Sequence, residues 1–366
     1  MLKSLAVKRF LLLCLALSSS GASASPKLPL VATIPMNGIE GRFDHFAFDP
    51  KTSRLFVSAL EGRSVEVVDL KRCRRAGRIP NVFEPQGVFF IAGANRLLVA
   101  SRGDGTLRSF NATTLKEGPW LDLGRNADNV RFDAKSQTVY VGSNGEPGAG
   151  KMSAIDLKAL LPRAQGGQVF EPRSPADLFP LYRPNAPRQA SPKFELDLPS
   201  HPESFQLDPT RSQLFVNVPD EHIIALVKSR ANGFEITRRI PVPYKKNFPM
   251  AFDSKSNRLF VACRIAPRLL AYDVTTGQKQ MEVPCVGDAD DVYFDAKSNR
   301  VIVIGGTPGA VDVFGFRNGT FALVSHTPTA PRARTGIYLP TLGLVVVAAP
   351  HTPGHRAQLR LYRSKF

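Results

Sequence analysis

The sequence predicts an all-β fold: a seven-bladed β-propeller of four-stranded antiparallel blades, with the N-terminal strand closing the last blade. Three observations lead there. A phrase of about ten residues recurs seven times along a chain of 366 residues. The stretches between copies read as short strands, with no long helical periodicity. Finally, 28 Gly and 30 Pro supply many loops and disfavour a helical bundle.

The phrase reads FDPKTSRLFV from Phe48, FDAKSQTVYV from Phe132, LDPTRSQLFV from Leu207, FDSKSNRLFV from Phe252 and FDAKSNRVIV from Phe294. Weaker copies start at Phe90 and Leu339. The spacings are 42, 42, 75, 45, 42 and 45, a period that belongs to propellers and stacked arrays. Each copy describes a hairpin: a strand ends at Phe-Asp, a polar turn follows, and a second strand rich in Val, Leu and Phe begins. The Asp at the turn is suited to accept backbone amides two or three residues on, which sets the register.

Third strands are expected at 64–70, 152–157, 269–274 and 311–316, and fourth strands at 76–79, 194–198, 235–242 and 280–283. One such sheet cannot bury both faces alone, so the blades must stack around an axis. Residues 30–36 form a strand before the first phrase, and 358–363 the third strand of the last unit. Pairing the two would close the ring and remove an open edge. The long spacing contains no hidden hairpin. Residues 158–192 hold seven prolines and read as an insertion between the third and fourth strands of blade 3.

These phrases resemble the repeat of the YVTN-type (YncE-like) secreted seven-bladed propellers. Residues 252–261, Tyr140-Val141-Gly142-Ser143 and Glu84-Pro85-Gln86-Gly87-Val88 carry the likeness, which spans about residues 28–363. It implies architecture far more than activity, because such propellers host lactonases, lyases, dehydrogenases and pure binders.

Residues 1–24 read as a cleaved leader. Lys3, Lys8 and Arg9 precede an apolar stretch from Phe10 to Leu17, and Ala22-Ser23-Ala24 supplies the small-x-small site. That stretch falls short of the roughly 20 apolar residues a membrane span needs. The expected mature chain, from residue 25 on with the propeller at 28–366, is therefore a periplasmic or secreted monomer without a membrane span. Its net charge is +14, three below the +17 of the whole sequence. Of its three cysteines, Cys263 and Cys285 are close enough in sequence to pair, and three reduced thiols fit equally.

Aligning the blades on the first residue of the phrase lines up the segments leading into the inner strands. Four residues before it stand Asp44, Gln86, Asp128, Glu203, Phe248, Asp290 and Thr335. One residue later stand His45, Gly87, Asn129, Ser204, Pro249, Asp291 and Gly336. Converging carboxylates raise one another's pKa unless a cation neutralises them. Asp44, Asp128, Glu203 and Asp290 are thus candidate ligands for a divalent cation such as Ca²⁺, and His45 widens the choice to a transition metal. Asp and Asn at such turns also cap backbone amides while binding nothing. Asn129 and Asp291, with Arg102 and Arg264 from the loops joining second and third strands, are candidate ligand-binding groups. Three functions remain open. The first is a binder of an envelope ligand or protein at the funnel face. The second is a metal-assisted lactonase-like or lyase-like enzyme in which His45 or Glu203 exchanges a proton. The third is a binder of an anionic polymer, nucleic acid included. Other signatures fail: Gly145 to Lys151 lacks the Ser or Thr of a phosphate loop, and 288–291 lacks the Gly and distant Glu of an EF-hand.

Overall fold

The computed structural model describes residues 27–145, 148–162, 191–317 and 320–364. The expected leader and most of the expected insertion lie outside the described residues. Seven antiparallel sheets of four strands each follow one another around an axis. Their inner strands are Phe43–Asp49, Pro85–Ile91, Val130–Asp133, Phe205–Asp208, Lys245–Asp253, Gly287–Asp295 and Gly336–Leu339. In blade 7 the outermost strand is Leu30–Pro35, paired antiparallel with Gln358–Arg363, so the N-terminal strand closes the ring. In blade 3, Gly150–Asp156 pairs directly with Phe194–Leu198. The inserted segment therefore leaves from the third strand and returns to the fourth, as its position in the repeat predicts. Among the described residues no helix is long and apolar enough to cross a membrane.

The phrase works as its chemistry predicts. Asp49 accepts the Lys51 amide at 2.9 Å, Asp133 the Lys135 amide at 2.9 Å, and Asp253 the Lys255 amide at 3.1 Å. The residue closing each turn lies in the left-handed region: Ser53, Gln137, Ser212, Asn257 and Asn299 have φ between 51° and 59°. In the two weak copies the Asp is missing, but Asn95 and Gly343 still supply that backbone, at 49° and 59°. Residues that tolerate positive φ therefore hold the hairpin where the sequence match fades.

The aromatic positions explain the stacking. Phe90 lies on Phe56 of the preceding blade, with ring centroids 6.1 Å apart. Phe252 meets Phe215 at 4.7 Å and Phe294 meets Phe260 at 5.5 Å in the same way. The first Phe of one phrase thus packs on the ninth residue of the previous one, and the core sits between blades. Second strands such as Arg54–Ala59 and Leu344–Ala349 are covered on both faces and are predominantly apolar. Among the described residues Cys73, Cys263 and Cys285 are unbridged. Burial pushes the Cys263 and Cys285 thiols up to about 12, which leaves them protonated and unreactive.

Candidate funnel site on the propeller axis

The inner strands do not run straight to the top of the funnel. Register shifts interrupt blade 1 between Phe43 and Phe46 and blade 2 between Pro85 and Val88. Blades 5 and 6 shift at the same level, between Asn247 and Met250 and between Ala289 and Asp291. A bulge bends its strand and re-aims side chains, which lets consecutive residues such as Asp44 and His45 both serve the funnel. Close approach sets a limit beside them. A Cβ on Gly87 would lie 2.2 Å from the Asp128 carbonyl oxygen, so glycine is required there.

His45 sits at the centre of the acids. Its Nε2 lies 3.6 Å from Asp44 and 3.9 Å from Asp128, and its Nδ1 lies 3.8 Å from Asp291. Burial alone would lower the His45 pKa. Contact with Asp291 and the charges of Asp44, Asp291 and Asp128 overcome that and carry it to about 10. The imidazolium is therefore the resident counter-ion of three carboxylates. Burial pushes Asp44 itself up to about 6, with His45 opposing and Asp290 and Asp128 adding to the rise.

Asp290 is held differently. Arg264 donates to it from blade 5, and Arg334 approaches it to 2.9 Å from the segment leading into blade 7. Burial pushes the Asp290 carboxyl upward, but these guanidinium groups hold it below the usual carboxylate range. Arg264 also donates to the Ala289 carbonyl at 2.9 Å and lies 4.0 Å over the Phe248 ring. Arg102 is elsewhere, on the rim, in a half-exposed pair with Glu84 at 3.6 Å. Such exposed pairs contribute roughly 0–1 kcal/mol.

A third grouping joins blades 3 and 4. Asp128, His201 and Glu203 each offer a ligand atom within 4.8 Å of the others. His201 Nδ1 faces Asn144 Oδ1 at 2.5 Å, and its Nε2 lies 3.7 Å from Asp128. Burial pushes Glu203 up to about 7, helped by Asp128 and opposed by His201. One imidazole and two carboxylates suit zinc or manganese better than the all-oxygen calcium set expected from the aligned acids.

Of the residues named from sequence, the structure brings Asp44, His45, Asp128 and Asp291 together around one imidazole and unites Asp128 with Glu203. It gives Asp290 to two arginines and leaves Arg102 at the edge. Asn129 donates to Asp128 at 3.3 Å. Sequence reasoning missed His201, Arg334 and Arg131. The first two lie one or two positions before the aligned ring, in the segments leading into blades 4 and 7.

Below the ring the channel widens into a cavity of about 360 Å³. His45, Asn129, Ser204 and Asp291 line its mouth, Arg131, Gln206 and Tyr293 its middle, and Phe89, Met250 and Phe252 its apolar walls. The fold and this axial cavity define a seven-bladed β-propeller with a polar funnel. A chain of the solved structure "Crystal Structure of Mitotic Checkpoint Complex" superposes with a TM-score of 0.68 at 12% identity, covering 97% of this chain and 98% of that chain. At that identity the likeness concerns the fold alone. Neither a family model nor a curated protein sequence matches the chain.

Proposed function

We propose that the protein is an exported binding propeller of the YVTN type that takes a small polar ligand in its axial cavity. One observation carries this reading: six of the seven blades send residues from the level of His45 into a single cavity of about 360 Å³ on the axis. That volume lies at the small end of ligand pockets, which run from roughly 300 to 1,000 Å³. Polar groups crowd its mouth and middle while aromatic and aliphatic side chains form its walls, the usual division between orientation and affinity. Gln206→Trp would fill the channel from one inner strand. A panel of small polar molecules should raise the melting temperature of the native protein in a few cases, and Gln206→Trp should abolish each shift while keeping the native circular dichroism. Shifts that survive the substitution would place binding elsewhere.

The cluster of Asp128, His201 and Glu203 favours a second reading, metal-assisted catalysis. If a cation binds there, Asp128, His201 and Glu203 would hold it, and it would supply a Lewis acid at the mouth of the cavity. Burial holds Glu203 near 7 without a cation, so binding one would require Glu203 to give up its proton. Zn²⁺ or Mn²⁺ should then stabilise chelator-treated protein, and Glu203→Gln should remove most of that gain. A melting temperature indifferent to both ions and to chelator would dismiss this version.

A further inference from the structure

We propose that the axial cavity binds a small organic anion, a monocarboxylate with an apolar body, and that the Arg131 guanidinium is its counter-charge. This rests on the reading of the cavity as the ligand site and names the class of ligand it takes.

Arg131 stands one residue before the phrase in blade 3, at the level of Phe89, Gln206, Ala251 and Tyr293, and it lines the cavity. Its partners among the described residues are few. Nη1 donates to the Val130 carbonyl at 2.9 Å, and the guanidinium carbon lies 5.5 Å from the Phe205 ring centroid. A guanidinium has five N–H donors and stays charged in proteins, and among the described residues only Nη1 has a hydrogen-bond acceptor.

The acids that would neutralise it are already committed. Asp291 accepts the Gly336 amide at 2.9 Å and the Tyr293 hydroxyl at 3.3 Å, and it contacts His45. Asp128 is shared among His45, His201 and Asn129. Asp290 is held by Arg264 and Arg334. Asp291 and Asp128 act on Arg131 through their charge from a distance, yet among the described residues no carboxylate forms an ion pair with it. A desolvated charge without a direct partner is costly, and an incoming carboxylate relieves that cost with paired N–H···O bonds.

The rest of the lining selects within the anions. The cavity offers one uncommitted cation, which matches one delocalised negative charge and not a phosphate dianion. Gln206 and Ser204 provide further polar contacts, while Phe89, Met250 and Phe252 favour an aromatic or aliphatic body over a bare ion.

Calorimetric titration of the full protein with benzoate, its uncharged analogue benzamide, and inorganic phosphate tests the assignment. Benzoate should bind the native protein, benzamide and phosphate at least tenfold more weakly. Arg131→Gln should weaken benzoate binding roughly ten- to hundredfold, the range for a hydrogen-bonded charge. Arg131→Lys should recover part of it, which separates charge from packing on Phe205. Equal affinity for benzoate and benzamide, both lost in Gln206→Trp, would overturn the anion assignment while sparing the ligand site. Tight phosphate binding that needs Arg131 would overturn the choice of carboxylate. No binding by any probe would defeat this assignment, while binding that Gln206→Trp leaves unchanged would defeat the cavity reading itself.

Discussion

Replacing His45 with glutamine is expected to lower the unfolding free energy by about 3–5 kcal/mol, the range for removing one partner from a buried ion pair. The side chain keeps only 20% exposure, and the Asp44 and Asp128 carboxylates it neutralises keep 7% and 5%. Glutamine retains hydrogen bonding and removes the charge, leaving Asp44, Asp128 and Asp291 to repel one another at short range. The effect should depend on pH in a definite order. In the native protein His45 titrates near 10, against 6.5 for a free imidazole, so its contribution is complete below about pH 6.5 and disappears as the pH rises towards 10. In the variant the carboxylates protonate more readily, and acid relieves their repulsion. The difference between the two proteins should therefore peak near pH 6.5 and shrink towards both pH 4.5 and pH 10. Urea unfolding at those three values reads it directly. A constant difference would mean that His45 acts by packing alone.

How much of this was legible in the sequence differs between scaffold and site. The hairpin phrase combines local chemistry with period: the Asp that caps its own turn, the residue that accepts positive φ, and the two aromatic positions that meet across blades. Each requirement is met within ten residues, so five strong copies and two weaker ones together count the blades. Ring closure was also readable, because a strand at Leu30–Pro35 with no partner nearby in sequence matched a unit lacking its fourth strand.

The funnel was only half legible. Alignment on the phrase found the acidic level because spacing stays constant for four residues upstream of it. It missed what neutralises that level. His201 and Arg334 lie in segments leading into blades 4 and 7, where the phrase sets no register, and their approach to Asp128 and Asp290 is a contact between blades. Arg264 was named from its loop as a ligand group, yet its neighbour Asp290 sits 26 residues away on the next inner strand. Arg131 was hidden for another reason. A single Arg alternating with Val130 and Phe132 in a strand reads as a solvent-facing residue. In a propeller the corresponding face of an inner strand looks into the channel, so the usual meaning of alternation is reversed there.

Deleting residues 27–36 is expected to abolish the folded protein, an effect larger than that of any single substitution considered above. The segment supplies the outer strand of blade 7 through pairs from Leu30↔Tyr362 to Pro35↔Gln358, and Met36 donates to the Ala357 carbonyl at 2.9 Å. Its side chains also bridge the closure. Ile34 and Met36 are almost wholly buried in one cluster with Ile39, Phe43 and Leu55 at blade 1 and with Val346, Leu359 and Leu361 of blade 7. Removing them would expose the Gln358–Arg363 edge and the apolar faces of both blades, a direct invitation to aggregation. Ile34→Ala offers the graded version and should cost about 2–5 kcal/mol, as for other large-to-small core substitutions. Size-exclusion chromatography reads the deletion, and urea unfolding with an unchanged slope reads the substitution. A deletion protein that elutes and melts like the parent would show that the six remaining complete blades carry the fold. That outcome would also weaken the funnel, because Asp44 and His45 enter from blade 1 while Arg334 and Gly336 enter from blade 7. Only a closed ring holds those two sides at the separations on which the axial site depends.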